Sequence, residues 1–168
     1  MRKVFLALFV IVGIAAACKK SNSGPDYDPC AVKATPAQAA TLKGYMTKLD
    51  ATATEHVCGG QSTGLFYKIV NPGTGVAPSA NSTVVVNYKL SYIKSSDTSL
   101  VAVPQPAGPA SFPLATLIDG WRKGLPLVKE AGTINLYMAP PLGYGDNASG
   151  SIPAGSYLVF EITLLDAQ

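Results

Sequence analysis

Side chains that could act as nucleophiles, acids or bases are few in this sequence and stand apart. His56 is the only histidine, and no Gly-x-Ser-x-Gly motif accompanies it, so an acyl-transfer triad lacks its parts. We expect His56 to lie at the end of a helix near the amino terminus. Four carboxylates are spread singly over turns and strands, which disfavours a catalytic pair or a calcium site. They are Asp119, Glu130, Asp146 and Glu161.

Aromatic side chains are the more informative set. Trp121 is the only tryptophan, and it stands three residues after Ile118 and four before Leu125, so a helix would place all three on one face. Gly120 and Gly124 are weak helix formers and keep that helix short. A short helix with a buried indole, followed by strands, predicts an aromatic floor beneath a sheet.

Period-two patterns surround this helix and predict strands. In residues 84–93, Val84, Val86 and Tyr88 face the same, apolar side. Further strands are expected at 65–70, 134–138 and 157–165. The last is apolar on both faces, as in the centre of a sheet. The pattern predicts an α+β domain in which an antiparallel sheet wraps around a short helix. Residues 95–109 are predicted to form an irregular loop or ragged strand.

The amino terminus has the features of an export signal. Arg2 and Lys3 precede an uncharged run from Val4 to Ala17, which is too short to span a bilayer as a helix. Cys18 follows three alanines and resembles the acylated cysteine of a bacterial lipoprotein. We expect a signal peptide at 1–17, and lipidated Cys18 with a flexible tether at 18–35. A plain secretory signal with an incidental cysteine is the alternative.

A helix with a linker is predicted at 36–61, between the tether and a domain at 62–168. Thr35 can cap this helix, which should extend to about Glu55. Cys30 and Cys58 flank it, and export to an oxidising compartment favours a disulfide between them. Two free thiols are the alternative, and a metal site is weaker still because no further ligand accompanies His56.

Charge excludes one class of partner. The chain carries 13 basic and 10 acidic residues, and removal of Arg2 and Lys3 with the signal leaves the two signs nearly balanced. Nucleic-acid binding rests largely on lysine and arginine contacts to phosphates, so we expect no such partner.

Several motifs resemble FKBP-type peptidyl-prolyl isomerases, in the same order and at similar spacing. They are Val-Val-Val-Asn-Tyr88, Leu-Ile-Asp-Gly-Trp121, Pro-Pro-Leu-Gly-Tyr144-Gly and Ser-Tyr-Leu-Val-Phe160. The resemblance covers about residues 62–168. It implies a bent antiparallel sheet around a short helix and a pocket for a proline ring, used without a cofactor. The partners it implies are proline-containing polypeptides, and we expect a lipid-anchored monomer in the bacterial cell envelope.

The resemblance also implies roles for individual residues. Trp121 would be the pocket floor, while Ile118, through its backbone N–H, and Tyr144, through its hydroxyl, would hold substrate carbonyls. The walls would come from four more side chains: Tyr88, Phe112, Leu117 and Phe160. Where the family has an aspartate beside the pocket, this chain has the run 100–103, without a carboxylate. Asp97 is the nearest one.

Two other functions remain open. The absent aspartate suits a non-catalytic chaperone or binding module on the same fold, tethered to the membrane. A surface lipoprotein that handles glycans is compatible with the anchor alone and would present exposed stacking aromatics.

Overall fold

The computed structural model describes residues 27–168, so the predicted signal peptide and Cys18 lie outside the described residues. Two α-helices and seven strands follow in chain order. They are α1 (Pro36–Leu49), β1 (Thr54–Cys58), β2 (Gln61–Asn71), β3 (Thr83–Ile93), β4 (Leu100–Val103), β5 (Ala110–Pro113), α2 (Asp119–Gly124), β6 (Thr133–Met138) and β7 (Leu158–Ala167).

The strands form one sheet in the order β1-β2-β6-β7-β3-β4, and β5 also pairs with β3. Every pairing is antiparallel. The predicted α+β class and the central position of the last strand are therefore confirmed, since β7 lies between β6 and β3. Among residues 27–168, neither helix is long and apolar enough to cross a membrane.

The core lies between the inner face of the sheet and α2. Alternate residues of the central strands point inward and are fully buried, as period-two patterning requires. Each such side chain contributes about 1.5–3 kcal/mol when it leaves water. The inward set with no exposed surface comprises Val84, Val86, Ile134, Leu136, Met138, Ile162 and Leu164.

Helix α2 approaches the sheet closely because two of its six residues are glycines. A Cβ at Gly120 would collide with Met138, and one at Gly124 would lie 2.6 Å from Leu136 Cδ1. The helix begins at Asp119, so Ile118 is its N-cap in extended backbone. Trp121 is consequently buried at 3% exposure, whereas Ile118 stays partly exposed at the helix entrance.

Helix α1 packs on the outer face of the sheet. Thr35 and Gln38 form a capping box at its start, and its own Leu42 and Met46 side chains are buried. The prediction that this helix continues to about Glu55 is wrong, because it ends at Leu49.

The segment after α1 is sheet, not the end of a helix and a linker. Residues 54–58 form β1 and pair with β2 through a turn at Gly59 and Gly60, both at positive φ. The β-branched residues of this segment suit a strand better than a helix. His56 therefore lies on a strand, and the sheet starts ahead of the predicted boundary at residue 62.

The described end of the predicted tether is fastened to the domain. We call residues 27–35 the strap. A disulfide joins Cys30 to Cys58, and the Ala34 N–H donates to the Thr63 carbonyl at 2.9 Å. The prediction of a flexible tether up to residue 35 is wrong for the strap, because these bonds and the burial of Ala34 hold it in place.

Candidate functional site

An open cavity of about 580 Å³ lies at the entrance of α2, between that helix and the sheet. Every pocket residue predicted from the sequence lines it: Tyr88, Phe112, Leu117, Ile118, Trp121, Tyr144 and Phe160. They come from β3, β5, the α2 entrance, β7 and the loop after β6, so only the complete fold brings them together.

Four aromatic rings form the floor and wall of this cavity. The rings of Tyr88 and Phe160 each lie 5.2 Å from the indole of Trp121, at interplanar angles of 84° and 88°. Phe112 meets the same indole at 6.2 Å and 88°. Edge-to-face contacts of this kind are worth about 0.5–1.5 kcal/mol each beyond the burial of area. The rings therefore hold one another in place around the indole.

Two hydrogen-bond donors at the cavity are free of protein partners. Among residues 27–168, neither the Ile118 N–H nor the Tyr144 hydroxyl donates to another group. Burial, and then the nearby Tyr88, raise the pKa of Tyr144 above its ordinary value. The phenol consequently keeps its proton at physiological pH and can donate it in a hydrogen bond.

The indole nitrogen of Trp121 is buried and has no partner among residues 27–168. Leaving a buried donor unpaired costs on the order of 1–3 kcal/mol. The contacts of this indole with the Tyr88, Phe112 and Phe160 rings offset that cost.

Among residues 27–168, none that lines the cavity carries a formal charge at neutral pH. The loop residue Asp97, the nearest carboxylate in sequence to the place of the missing aspartate, does not line the cavity. Its carboxylate is exposed, accepts hydrogen bonds from the Ser99 N–H and hydroxyl at 2.9 and 2.6 Å, and pairs with Lys94 at 3.7 Å. The cavity can therefore desolvate and shape a ligand, but it offers no acid, base or metal ligand.

Part of the lining was missed by the sequence reasoning. Leu90 follows Tyr88 by two residues on the same strand face, and that period could have identified it. Val103 and Gln105 come from a segment predicted as an irregular loop or ragged strand, whose pairing with β3 depends on tertiary structure. The other lining residues not predicted are Pro104, Thr116, Ser149, Gly150, Ser151 and Ile152.

Charged side chains collect behind α2 instead. The Lys123 side chain has no exposed surface, and its Nζ lies 4.0 Å from Asp119 Oδ1. The guanidinium carbon of Arg122 stands 3.8 Å from the ring centroid of Tyr27 in the strap. Burial, and then the charge of Lys123, lower the pKa of His56. Among residues 27–168, no three His, Cys, Asp or Glu side chains meet as they would around a metal ion.

By its size and its uncharged lining, the cavity suits a small apolar group packed against a tryptophan. A sequence model described as FKBP-type peptidyl-prolyl cis-trans isomerase matches residues 75–165. The chain belongs to this FKBP-type family.

Similar proteins are named as peptidyl-prolyl cis-trans isomerases. The isomerase FkpA of Escherichia coli K12 is 43% identical over 109 residues, which are 64% of this chain and 39% of the relative. Mip of Coxiella burnetii is 33% identical over 108 residues, 64% of this chain and 46% of the relative. The chain thus spans less than half the length of these curated relatives.

Solved structures agree on the fold. The crystal structure of FkpA from Escherichia coli superposes with a TM-score of 0.64 at 35% identity, over 79% of this chain and 60% of that chain. A peptidyl-prolyl cis-trans isomerase from Pseudomonas syringae gives 0.60 at 25% identity, over 86% and 99% of the two chains.

Proposed function

We propose that this chain catalyses cis-trans rotation about X-Pro bonds of polypeptides, using the cavity floored by Trp121. One observation carries this proposal: an uncharged aromatic cavity that also offers two donors without protein partners, the Ile118 N–H and the Tyr144 hydroxyl. Membership of the family supports the same activity.

The physical basis needs no acid, base or nucleophile. Rotation about an amide is slow because resonance gives the C–N bond partial double-bond character, with a barrier of about 18–20 kcal/mol. The planar amide separates charge and the twisted amide does so less, so a dry cavity favours the twisted form. Each reduction of about 1.4 kcal/mol in the barrier gives a tenfold faster rate.

The free donors supply orientation. A proline ring against the indole would bring the carbonyls beside it within reach of the Ile118 N–H and the Tyr144 hydroxyl. These hydrogen bonds fix the peptide on either side of the rotating bond, so that the cavity selects the twisted geometry. Tyr88, Phe112, Leu117 and Phe160 would exclude water from the ring.

The proposal extends to the level of activity and the location. Because no carboxylate lines the cavity, we expect lower activity on short peptides than in relatives with an aspartate there. The apolar amino-terminal run and Cys18 support export and lipid anchoring to the cell envelope, with exported proteins as clients. We expect a monomer of this chain.

A protease-coupled assay on a proline tetrapeptide tests this proposal with the full-length chain. We expect micromolar protein to accelerate isomerisation, Trp121→Leu to abolish the effect, and Tyr144→Phe to reduce it severalfold. No acceleration by the wild type, with no difference between it and Trp121→Leu, would exclude catalysis at this cavity.

A non-catalytic module that binds proline-containing or unfolded segments is the second candidate. The observation that favours it is the absence of any charged residue lining the cavity. Suppression of aggregation separates the candidates, because an isomerase alone should not protect a client that contains no proline. Protection of such a client without tetrapeptide isomerisation would support the second candidate.

A further inference from the structure

A second groove of about 530 Å³ lies beside the cavity. We call it the tyrosine groove, after Tyr45 of α1, Tyr92 of β3 and Tyr157, which precedes β7; it is completed by Val101 and by the loop at Pro153. All three tyrosines are partly exposed. It lies outside the set of residues assigned to the proline site.

The cavity and the tyrosine groove lie next to each other along one face of the β3–β4 pair. Leu90 is the register partner of Val103, and both line the cavity. One step along the same face, Tyr92 is the partner of Val101, and both line the groove. Residues two apart on a strand are separated by roughly 7 Å, about the length of two residues of an extended polypeptide.

The loop before β7 borders both spaces as well. Ile152 lines the cavity and the adjacent Pro153 lines the groove. This loop is therefore the boundary between the cavity and the groove.

Helix α1 makes the groove a fixed surface. The rings of Tyr45 and Tyr157 meet edge to face at 5.3 Å, and the Tyr157 hydroxyl donates to the Gln38 carbonyl at 3.3 Å. On the other side, the Ile93 N–H donates to the Tyr157 carbonyl at 2.9 Å. The helix thus anchors the loop that separates groove from cavity.

The chemistry of the groove is that of an apolar polypeptide segment. Among residues 27–168, its one charged lining residue is Lys94, which pairs with Asp97 at 3.7 Å. The three tyrosines offer ring faces, and the Tyr157 hydroxyl is already bonded to the Gln38 carbonyl. Aromatic side chains of this kind dominate the energetics of peptide contacts.

We propose that the tyrosine groove is a subsite for the client segment next to the proline, which takes an aromatic or aliphatic side chain about two to four residues away. The assignment rests on the proposed function, since the position of the groove beside the proline cavity identifies the occupant. It gives α1 a direct role in client selection.

The test compares a tetrapeptide that fills only the cavity with a long peptide that has the same core and a phenylalanine-containing extension on each side. For the long peptide, Tyr92→Ser should weaken binding, measured by fluorescence anisotropy, about three- to tenfold. Tetrapeptide isomerisation should be unchanged. Tyr92→Phe should retain affinity for the long peptide. The control Tyr67→Ser removes a partly buried tyrosine outside the groove and should also leave the affinity for the long peptide unchanged.

The outcomes separate the two proposals. Equal affinity of wild type and Tyr92→Ser for the long peptide would overturn the subsite even if the tetrapeptide is isomerised. A wild type that fails to isomerise the tetrapeptide would overturn the proposed function, while the anisotropy ratio would still decide the subsite. Self-association that Tyr92→Ser abolishes, with unchanged peptide affinity, would assign the groove to a second copy and overturn the proposal.

Discussion

Helix α2 presents opposite chemistry on two of its sides. Toward the cavity it presents Trp121, surrounded by rings and by lining residues without formal charge. Toward the strap it presents Arg122 and the buried Lys123, next to Tyr27 and His56. The glycines between them face the sheet and hold the helix at close range.

The charged side chains of α2 lie on the side of the helix that faces the strap, away from the proposed rotating bond. A neutral cavity disfavours the charge-separated amide over a wide pH range, because nothing that lines it titrates near neutrality. The cost of burying a charge falls on the strap side of the helix, since among residues 27–168 the Lys123 ammonium has no hydrogen-bond partner. The two sides should therefore respond differently to substitution. Substitutions on the cavity side should change activity, and those on the strap side should change stability.

The largest effect is expected from Trp121→Leu, which removes the floor of the cavity. We expect isomerisation to fall at least tenfold and the free energy of unfolding to drop by about 3 kcal/mol, because a large buried ring is lost. Isomerase assays and denaturant unfolding measure the two quantities. Phe66→Leu is the matched control, since Phe66 is 5% exposed and does not line the cavity. Equal activity losses in the two variants would contradict a special role for Trp121.

Removal of the disulfide with Cys30→Ala and Cys58→Ala should mainly affect stability. The bridge spans 28 positions in sequence, and a loop of that size is worth about 3 kcal/mol in the chain-entropy model. Thermal unfolding should shift down, while isomerisation of the tetrapeptide at low temperature should remain within twofold of wild type. A large loss of activity in the folded variant would show that the strap influences the cavity side of α2.

Replacement of the buried ammonium by Lys123→Met should be neutral or stabilising by about 1–2 kcal/mol. The substitution removes a charge whose burial is costly and preserves most of the apolar volume. By contrast, Asp119→Asn should destabilise, because it leaves both neighbouring cations without a carboxylate. Chemical denaturation measures both variants. A clear loss of stability in Lys123→Met would show that the ion pair with Asp119 outweighs the cost of burying the ammonium.

The smallest effect concerns pH and His56. Its pKa is lowered in the folded chain, so the unfolded chain takes up a proton first as the pH falls through about 6.5. Stability should therefore decrease slightly below that pH and level off once the folded histidine is protonated. His56→Gln should flatten this part of the profile of unfolding free energy against pH. A profile identical to that of wild type would show that His56 titrates alike in both states.

The sequence predicted the site better than its surroundings. Aromatic and aliphatic residues in motifs such as Leu-Ile-Asp-Gly-Trp121 carry the family resemblance, and each predicted residue lies at the cavity. The strand patterns were equally informative, because period-two alternation depends only on which face is buried.

What the sequence could not give depends on tertiary contacts. We did not predict that α1 stops at Leu49 and that residues 54–58 join the sheet. The β-branched residues of this segment favour a strand, but it becomes one only by pairing with β2. The burial of Lys123 arises from the strap crossing behind α2, which no spacing encodes. The tyrosine groove likewise joins residues more than 100 positions apart, such as Tyr45 and Tyr157.

The cis-trans exchange rate of a proline tetrapeptide, measured by NMR exchange spectroscopy with micromolar protein between pH 5.5 and 8.5, tests the central claim most directly. A neutral cavity that lowers the rotational barrier predicts exchange faster than in buffer, at the same rate across this range. Trp121→Leu should return the rate to that of buffer. Exchange that the protein leaves unchanged, or an acceleration that follows a titrating group, would contradict the account.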